Sequence, residues 1–283
     1  MVFLCAFVVS ACSSEEAPPP PLPSDANSVS RGRHLAEGFG SCGFCHSVNG
    51  KPGSILSGGR PMSDVFGDVA GPNVTVAQSG IGDWTEVDVR TLLRENKRPD
   101  GVYLYSSFHK GLEWMSDSDV TAIIAYLRSL PAVDSDMERR EVGFIGRNTT
   151  GFFTSVPEVM GYVPQISESF RVEYGEYLTN SIAGCNRCHA RSGGTLSSDE
   201  FMAGGEEISF DGEVKVAPNI TQSKDSGIGN WSEEDLQTYL LTGRTPAGRT
   251  IDARFCPVEF YQRATPAEID AVVAYLRTVP AIE

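Results

Sequence analysis

The sequence predicts an all-α fold: two tandem helical units joined by a linker, behind a short apolar leader and a proline-rich stalk. Three observations carry that expectation. One set of short motifs occurs twice at matched spacing. Each copy closes on an amphipathic helix with a clear start signal, and little in either copy alternates with period two, as a half-buried strand would.

The repeat begins with Gly32-Arg33-His34-Leu35, ten residues before Cys42, and Gly175-Glu176-Tyr177-Leu178, ten before Cys185. Leu56-Ser57-Gly58-Gly59 then matches Met202-Ala203-Gly204-Gly205. Pro72-Asn73-Val74-Thr75 matches Pro218-Asn219-Ile220-Thr221, and the run Gly80 to Trp84 matches Gly227 to Trp231. Thr85 and Ser232 follow as helix starts. The closing helices end on Ala125-Tyr126-Leu127-Arg128 and Ala274-Tyr275-Leu276-Arg277. Thr265-Pro266-Ala267-Glu268 is a capping box with proline at the first helical position, and Ser116-Asp117-Ser118-Asp119 is its acidic counterpart. Val120, Ile123, Ile124 and Leu127, like Ile269, Val272, Val273 and Leu276, fall on one helical face. The expected boundaries are 1–27 for leader and stalk, 28–133 and 168–283 for the units, and 134–167 for a linker packed through Phe144, Phe152 and Phe153.

Residues 1–11 are apolar and uncharged, about as long as a signal-peptide core and too short for the ~20 residues that span a bilayer. They run into Val9-Ser10-Ala11-Cys12, which resembles a bacterial lipobox with Cys12 as the lipid-modified residue. The missing basic segment points to a start codon further upstream; the alternative is a buried N-terminal strand. The stretch SSEEAPPPPLPSDANS reads as an extended stalk able to hold the first unit roughly 40 Å from a membrane. The net charge of −14 repels nucleic acid and anionic membrane surfaces and favours a partner with a basic docking face.

Of seven cysteines, two lie in the leader and four in the runs Cys42-Gly43-Phe44-Cys45-His46 and Cys185-Asn186-Arg187-Cys188-His189, leaving Cys256 over. Two thiols spaced by two residues can each bond a vinyl group of one porphyrin, and the adjacent histidine then lies under the iron. Zinc would need four ligands per site, and no further pair supplies them. The pattern therefore reads as two covalently bound haem c groups, with His46 and His189 on the irons.

These motifs together resemble the two-domain family of bacterial diheme cytochromes c, over nearly all of residues 30–283. The resemblance implies two class I cytochrome c domains and a periplasmic electron carrier that often partners a dehydrogenase. It also implies a distal methionine followed by proline, and here the sequence departs. That slot in the second copy holds Cys256-Pro257, and no methionine follows Met202. Cys256 is either a thiolate ligand or a small buried hydrophobe. In the first copy, Trp84 plus 25 is His109, as Trp231 plus 25 is Cys256, so His109 takes the distal slot. Met115 competes for it, an open site is the third alternative, and counting back from the helix lands on Ser107. His34 reads as packing between first and last helices. Trp84 and Trp231 either donate toward a haem propionate or only cap the pocket.

The metal ligands expected are thus His46, His109, His189 and Cys256, with no catalytic residue. The function implied is a lipid-anchored periplasmic or cell-envelope relay of single electrons between a dehydrogenase and a respiratory acceptor. The alternative is a haem enzyme of the thiosulfate-dehydrogenase type, with Arg244, Arg249, Arg254 and Arg263 gathering a sulfur oxyanion beside Cys256.

Overall fold

The computed structural model describes residues 26–64, 67–104, 108–137, 139–141, 159, 161–192, 200–210 and 212–283. The leader with Cys12, the stalk through residue 25, Ser107 and the linker phenylalanines lie outside the described residues, and the last stalk residues, from Ala26 on, are helical and belong to the first unit. No described helix is long and apolar enough to cross a membrane.

The first repeat contains α1 (Ala26–Glu37), α2 (Cys42–His46), α3 (Glu86–Glu95) and α4 (Asp117–Ser129). The second contains α5 (Arg171–Tyr177), extended by a π-helical turn over Leu178–Ile182, then α6 (Asn186–His189), α7 (Glu233–Thr242), α8 (Val258–Tyr261) and α9 (Pro266–Leu276). The expected starts are where the sequence puts them. Thr85, Ser232 and Thr265 form capping boxes with Asp88, Asp235 and Glu268, and Ser116 accepts from the Asp119 N–H.

The all-α expectation fails. Each repeat carries a two-stranded antiparallel hairpin: β1 (Pro61–Asp64) with β2 (Gly67–Ala70), and β3 (Glu207–Phe210) with β4 (Glu213–Val216). Helices make up well under half of the described residues. The first hairpin (PMSD and GDVA) carries no alternation, whereas the second (EISF and EVKV) alternates polar with apolar over the four residues of each strand, a short signal that the helical repeat motifs outweighed. Their signal is in the preceding glycine pairs, whose φ angles are +81° and +107° at Gly58 and Gly59, and +74° and +106° at Gly204 and Gly205.

Gly32 and Gly175 explain the first motif of the repeat. A Cβ on either would fall 1.9 Å from the carbonyl oxygen of Ala122 or Ala271, so α1 crosses α4, and α5 crosses α9, at backbone contact. Each pair buries one apolar stripe, including Leu35, Val120 and Ile124 in the first and Leu178, Val272 and Val273 in the second.

Nor are the repeats two separate cores on a linker. Their buried residues form one continuous apolar cluster, and a polar layer crosses between them. His34 Nε2 meets the Glu268 carboxylate at 2.8 and 2.9 Å. The Tyr177 hydroxyl donates to Asp119 at 2.6 Å, and Arg31 donates to Asp119 at 2.9 and 3.2 Å. His34 matches Tyr177 and Asp119 matches Glu268 in the repeat, so each first helix reaches the N-terminus of the other repeat's last helix. His34 is indeed packed between a first and a last helix, but they belong to different repeats.

Candidate haem sites

The two C-x-x-C-H segments form the short helices α2 and α6 with their leading residues. Cys42, Cys45, Cys185, Cys188 and Cys256 are all free thiols. Burial pushes the Cys42 thiol up to about 11 and the Cys185 thiol up to about 12.

The Pro-Asn-x-Thr motif aims the histidines. His46 Nδ1 hydrogen-bonds the Pro72 carbonyl at 2.9 Å, and His189 Nδ1 the Pro218 carbonyl at 2.7 Å. An N–H used at Nδ1 leaves the Nε2 lone pair free to ligate, the outer-shell arrangement that metal-bound histidines use. Burial lowers the pKa of both rings, although these carbonyl bonds oppose it. Asn73 holds its loop by accepting from the Thr75 N–H at 2.9 Å and donating to the Val133 carbonyl at 2.8 Å. Asn219 does the same with Thr221 at 2.8 Å and Ile282 at 2.7 Å. Sequence reasoning noted the motif but missed this role, because a backbone carbonyl leaves no side-chain signature.

His109 faces His46 with ring centroids 6.3 Å apart and planes tilted by 35°. A metal–imidazole bond of about 2.0–2.1 Å on each side, plus the ring radii, gives a similar span. His109 Nδ1 is buried with no hydrogen-bond partner among the described residues. Burial, then the neighbouring His46 and Arg187 charges, lowers the His109 pKa to about 3, so the ring is neutral. Met115, the competitor, is 1% exposed within the apolar core.

Cys256 precedes α8 and packs against the core near Cys185 and Cys188, with a hydrogen bond to Tyr239. Burial, then those thiols, pushes its own thiol up to about 12. No group of three or more His, Cys, Asp or Glu side chains able to hold a bare metal ion occurs among the described residues. Cysteine pairs beside histidines fit a covalently tethered porphyrin, and the 6.3 Å between the His46 and His109 rings leaves room for one iron between them.

Trp84 lies under the Arg139 guanidinium at 4.4 Å, and Trp231 meets Tyr239 edge-on at 5.5 Å. Arg128 and Arg277, which end the closing motifs, donate to the Trp84 and Trp231 carbonyls and so staple the glycine-rich turns to the last helices. Of the arginines near Cys256, Arg254 is held by Asp252 and Glu213, and Arg263 by Glu37.

No protein-family model matches the chain. A diheme cytochrome c-type protein of Cereibacter sphaeroides is 30% identical over 86% of this chain and 83% of its own length. The fructose dehydrogenase cytochrome subunit of Gluconobacter japonicus is 32% identical over 93% of this chain and 55% of the subunit. The gluconate 2-dehydrogenase cytochrome c subunit of Pantoea cypripedii is 32% identical over 89% and 60%. The chain thus spans little more than half the length of these two dehydrogenase subunits. With the paired C-x-x-C-H helices and their proline-aimed histidines, these similarities make the chain a member of the dehydrogenase-associated cytochrome c family, whose covalent cofactor is haem c.

Proposed function

We propose that the chain is a two-haem relay, tethered through Cys12 on the periplasmic side of a membrane, that passes single electrons from a dehydrogenase to a respiratory acceptor. Cys42 and Cys45 tether one haem and Cys185 and Cys188 the other. His46 and His109 are the ligands in the first site, and His189 and Cys256 in the second. When bound, haem c supplies a one-electron ferric–ferrous couple whose potential follows its axial ligands.

The observation that carries the relay reading is the closeness of the two attachment segments. Cys188 lies within electrostatic reach of Cys45, and Arg187, between Cys185 and Cys188, also acts on Cys42 and Cys45. Two cofactors tethered there are neighbours, as a relay requires. His46 and His189 are held as neutral rings with Nε2 free, which suits ligation without proton release. Cys256 is protonated when no cation is near, and a ferric centre is the charge that ionises it. The ion pairs of Arg254 and Arg263 leave two of four nearby cations already neutralised, which weakens the sulfur-oxyanion alternative.

A reductive titration tests the proposal. The intact protein takes up two electrons per chain, and Cys185→Ser/Cys188→Ser takes up one and loses the mass of one haem. Two haems retained in that variant contradict the second site.

A further inference from the structure

We propose that Arg60 and Arg187 are crossed positioning residues, each holding the distal-ligand loop of the other repeat's haem site. The inference rests on the two-haem reading above.

Arg187 lies inside the second attachment segment, yet its side chain reaches the first repeat. Its Nε donates to the Lys110 carbonyl at 2.8 Å and its Nη1 to the Phe108 carbonyl at 3.3 Å, the residues on either side of His109. A third bond, to Ile182 at 3.3 Å, anchors the guanidinium in its own repeat. The same loop is pressed onto the second repeat at Gly111, where a Cβ would fall 2.0 Å from the Asn180 carbonyl oxygen.

Arg60 makes the reverse crossing. It is 5% exposed, and its guanidinium is stacked 3.9 Å from the Phe44 ring centroid and 4.2 Å from that of Phe210. Phe44 stands between Cys42 and Cys45, whereas Phe210 ends β3 of the second repeat. Arg60 then donates to the Arg254 carbonyl, two residues before Cys256. Phe210 meets Phe255, the residue preceding Cys256, edge-on at 6.4 Å.

The two arginines are not repeat equivalents. Phe44 takes the place of Arg187 in the first motif, and Glu206 takes the place of Arg60 in the second. Each repeat therefore lacks its own copy of the brace it receives from the other. A planar fork that donates to carbonyls in two directions suits this work, and lysine reproduces only its charge.

The test uses the holoprotein with Arg187→Met, Arg187→Lys, Arg60→Met and Phe210→Leu. The readouts are the cyanide-binding rate and reduction potential of each haem. Arg187→Met speeds cyanide binding about tenfold at the first haem, the effect of losing one or two carbonyl bonds from its loop. Arg60→Met and Phe210→Leu do so at the second haem. Arg187→Lys keeps the charge, so it leaves the potentials near wild type while still opening the first haem. Phe210→Leu reads the same crossing if the buried Arg60 variant fails to fold. An effect confined to the haem of the substituted residue's own repeat, or no effect at either, overturns the proposal. Rates and potentials report the crossing whatever the axial ligands are. A wrong ligand assignment is seen separately, in the wild-type spectrum.

Discussion

Tyr177→Phe tests whether the two repeats are one cooperative body. The substitution removes a single oxygen from the layer that crosses between them. That hydroxyl donates to the Asp119 carboxylate at 2.6 Å and accepts from the Ser116 N–H at 3.1 Å. Tyr177 is 4% exposed and Asp119 1%, so water can neither screen the bond nor replace it. A hydrogen bond to a charged acceptor contributes about 1.5–3 kcal/mol, and the retained ring opens no cavity. Arg31 stays on Asp119, which holds the loss near the lower end, about 2 kcal/mol. For a chain of this size that corresponds to a fall of roughly 4–8 °C in Tm. The assay is denaturant unfolding of the holoprotein, followed by far-ultraviolet dichroism and by haem absorbance. One transition that moves as a unit on both probes is expected. A double-mutant cycle with Asp119→Asn should return a coupling of about 1–2 kcal/mol. A loss below about 0.5 kcal/mol, or two transitions of which one stays fixed, would refute the shared-core reasoning.

Glu268 sets the acid limit of the same layer. Burial raises its carboxyl, but hydrogen bonds from His34 and the Thr265 N–H, with the His34 and Arg31 charges, outweigh burial and hold it below the usual range. A depressed carboxyl stabilises the fold above its unfolded pKa, and that stabilisation is lost as pH falls through the folded value. Stability should therefore drop below about pH 4.5, and Glu268→Gln should flatten that part of the profile in unfolding measured from pH 7 to 3. His109→Met should raise the first haem's potential in a redox titration, because thioether sulfur favours ferrous iron. An unchanged potential would remove His109 from the site. Cys12→Ala should move the protein from the membrane to the soluble fraction, since the stalk has no apolar face of its own. Retention on membranes in high salt would count against lipidation.

The sequence was most legible where a single side chain does the work. The capping residues Thr85, Ser232 and Thr265 and the apolar stripes of α4 and α9 could be read before any coordinates, and the spacing that singled out His109 puts its ring opposite that of His46. What escaped was carried by backbone or by partners distant in the chain. The hairpin after Gly59 carries no alternation and the one after Gly205 alternates over only four residues per strand, while the Pro72 and Pro218 carbonyls act without a side chain. Arg60 and Arg187 gave no sequence signal because their targets lie 194 and 77 to 79 positions away. His34 could be assigned to a helix interface, but only the fold says that the facing helix belongs to the other repeat.

The axial ligands are the centre of the account, and electron paramagnetic resonance of the oxidised protein tests them most directly. Two low-spin ferric signals are predicted: a bis-imidazole signal from the site of His46 and His109, and a histidine–thiolate signal from that of His189 and Cys256. In Cys256→Met the thiolate signal should vanish and the second haem's potential rise, with the bis-imidazole signal unchanged. A wild-type spectrum without a thiolate signal, or one that Cys256→Met leaves as it was, would contradict the account and return Cys256 to the packing of the core.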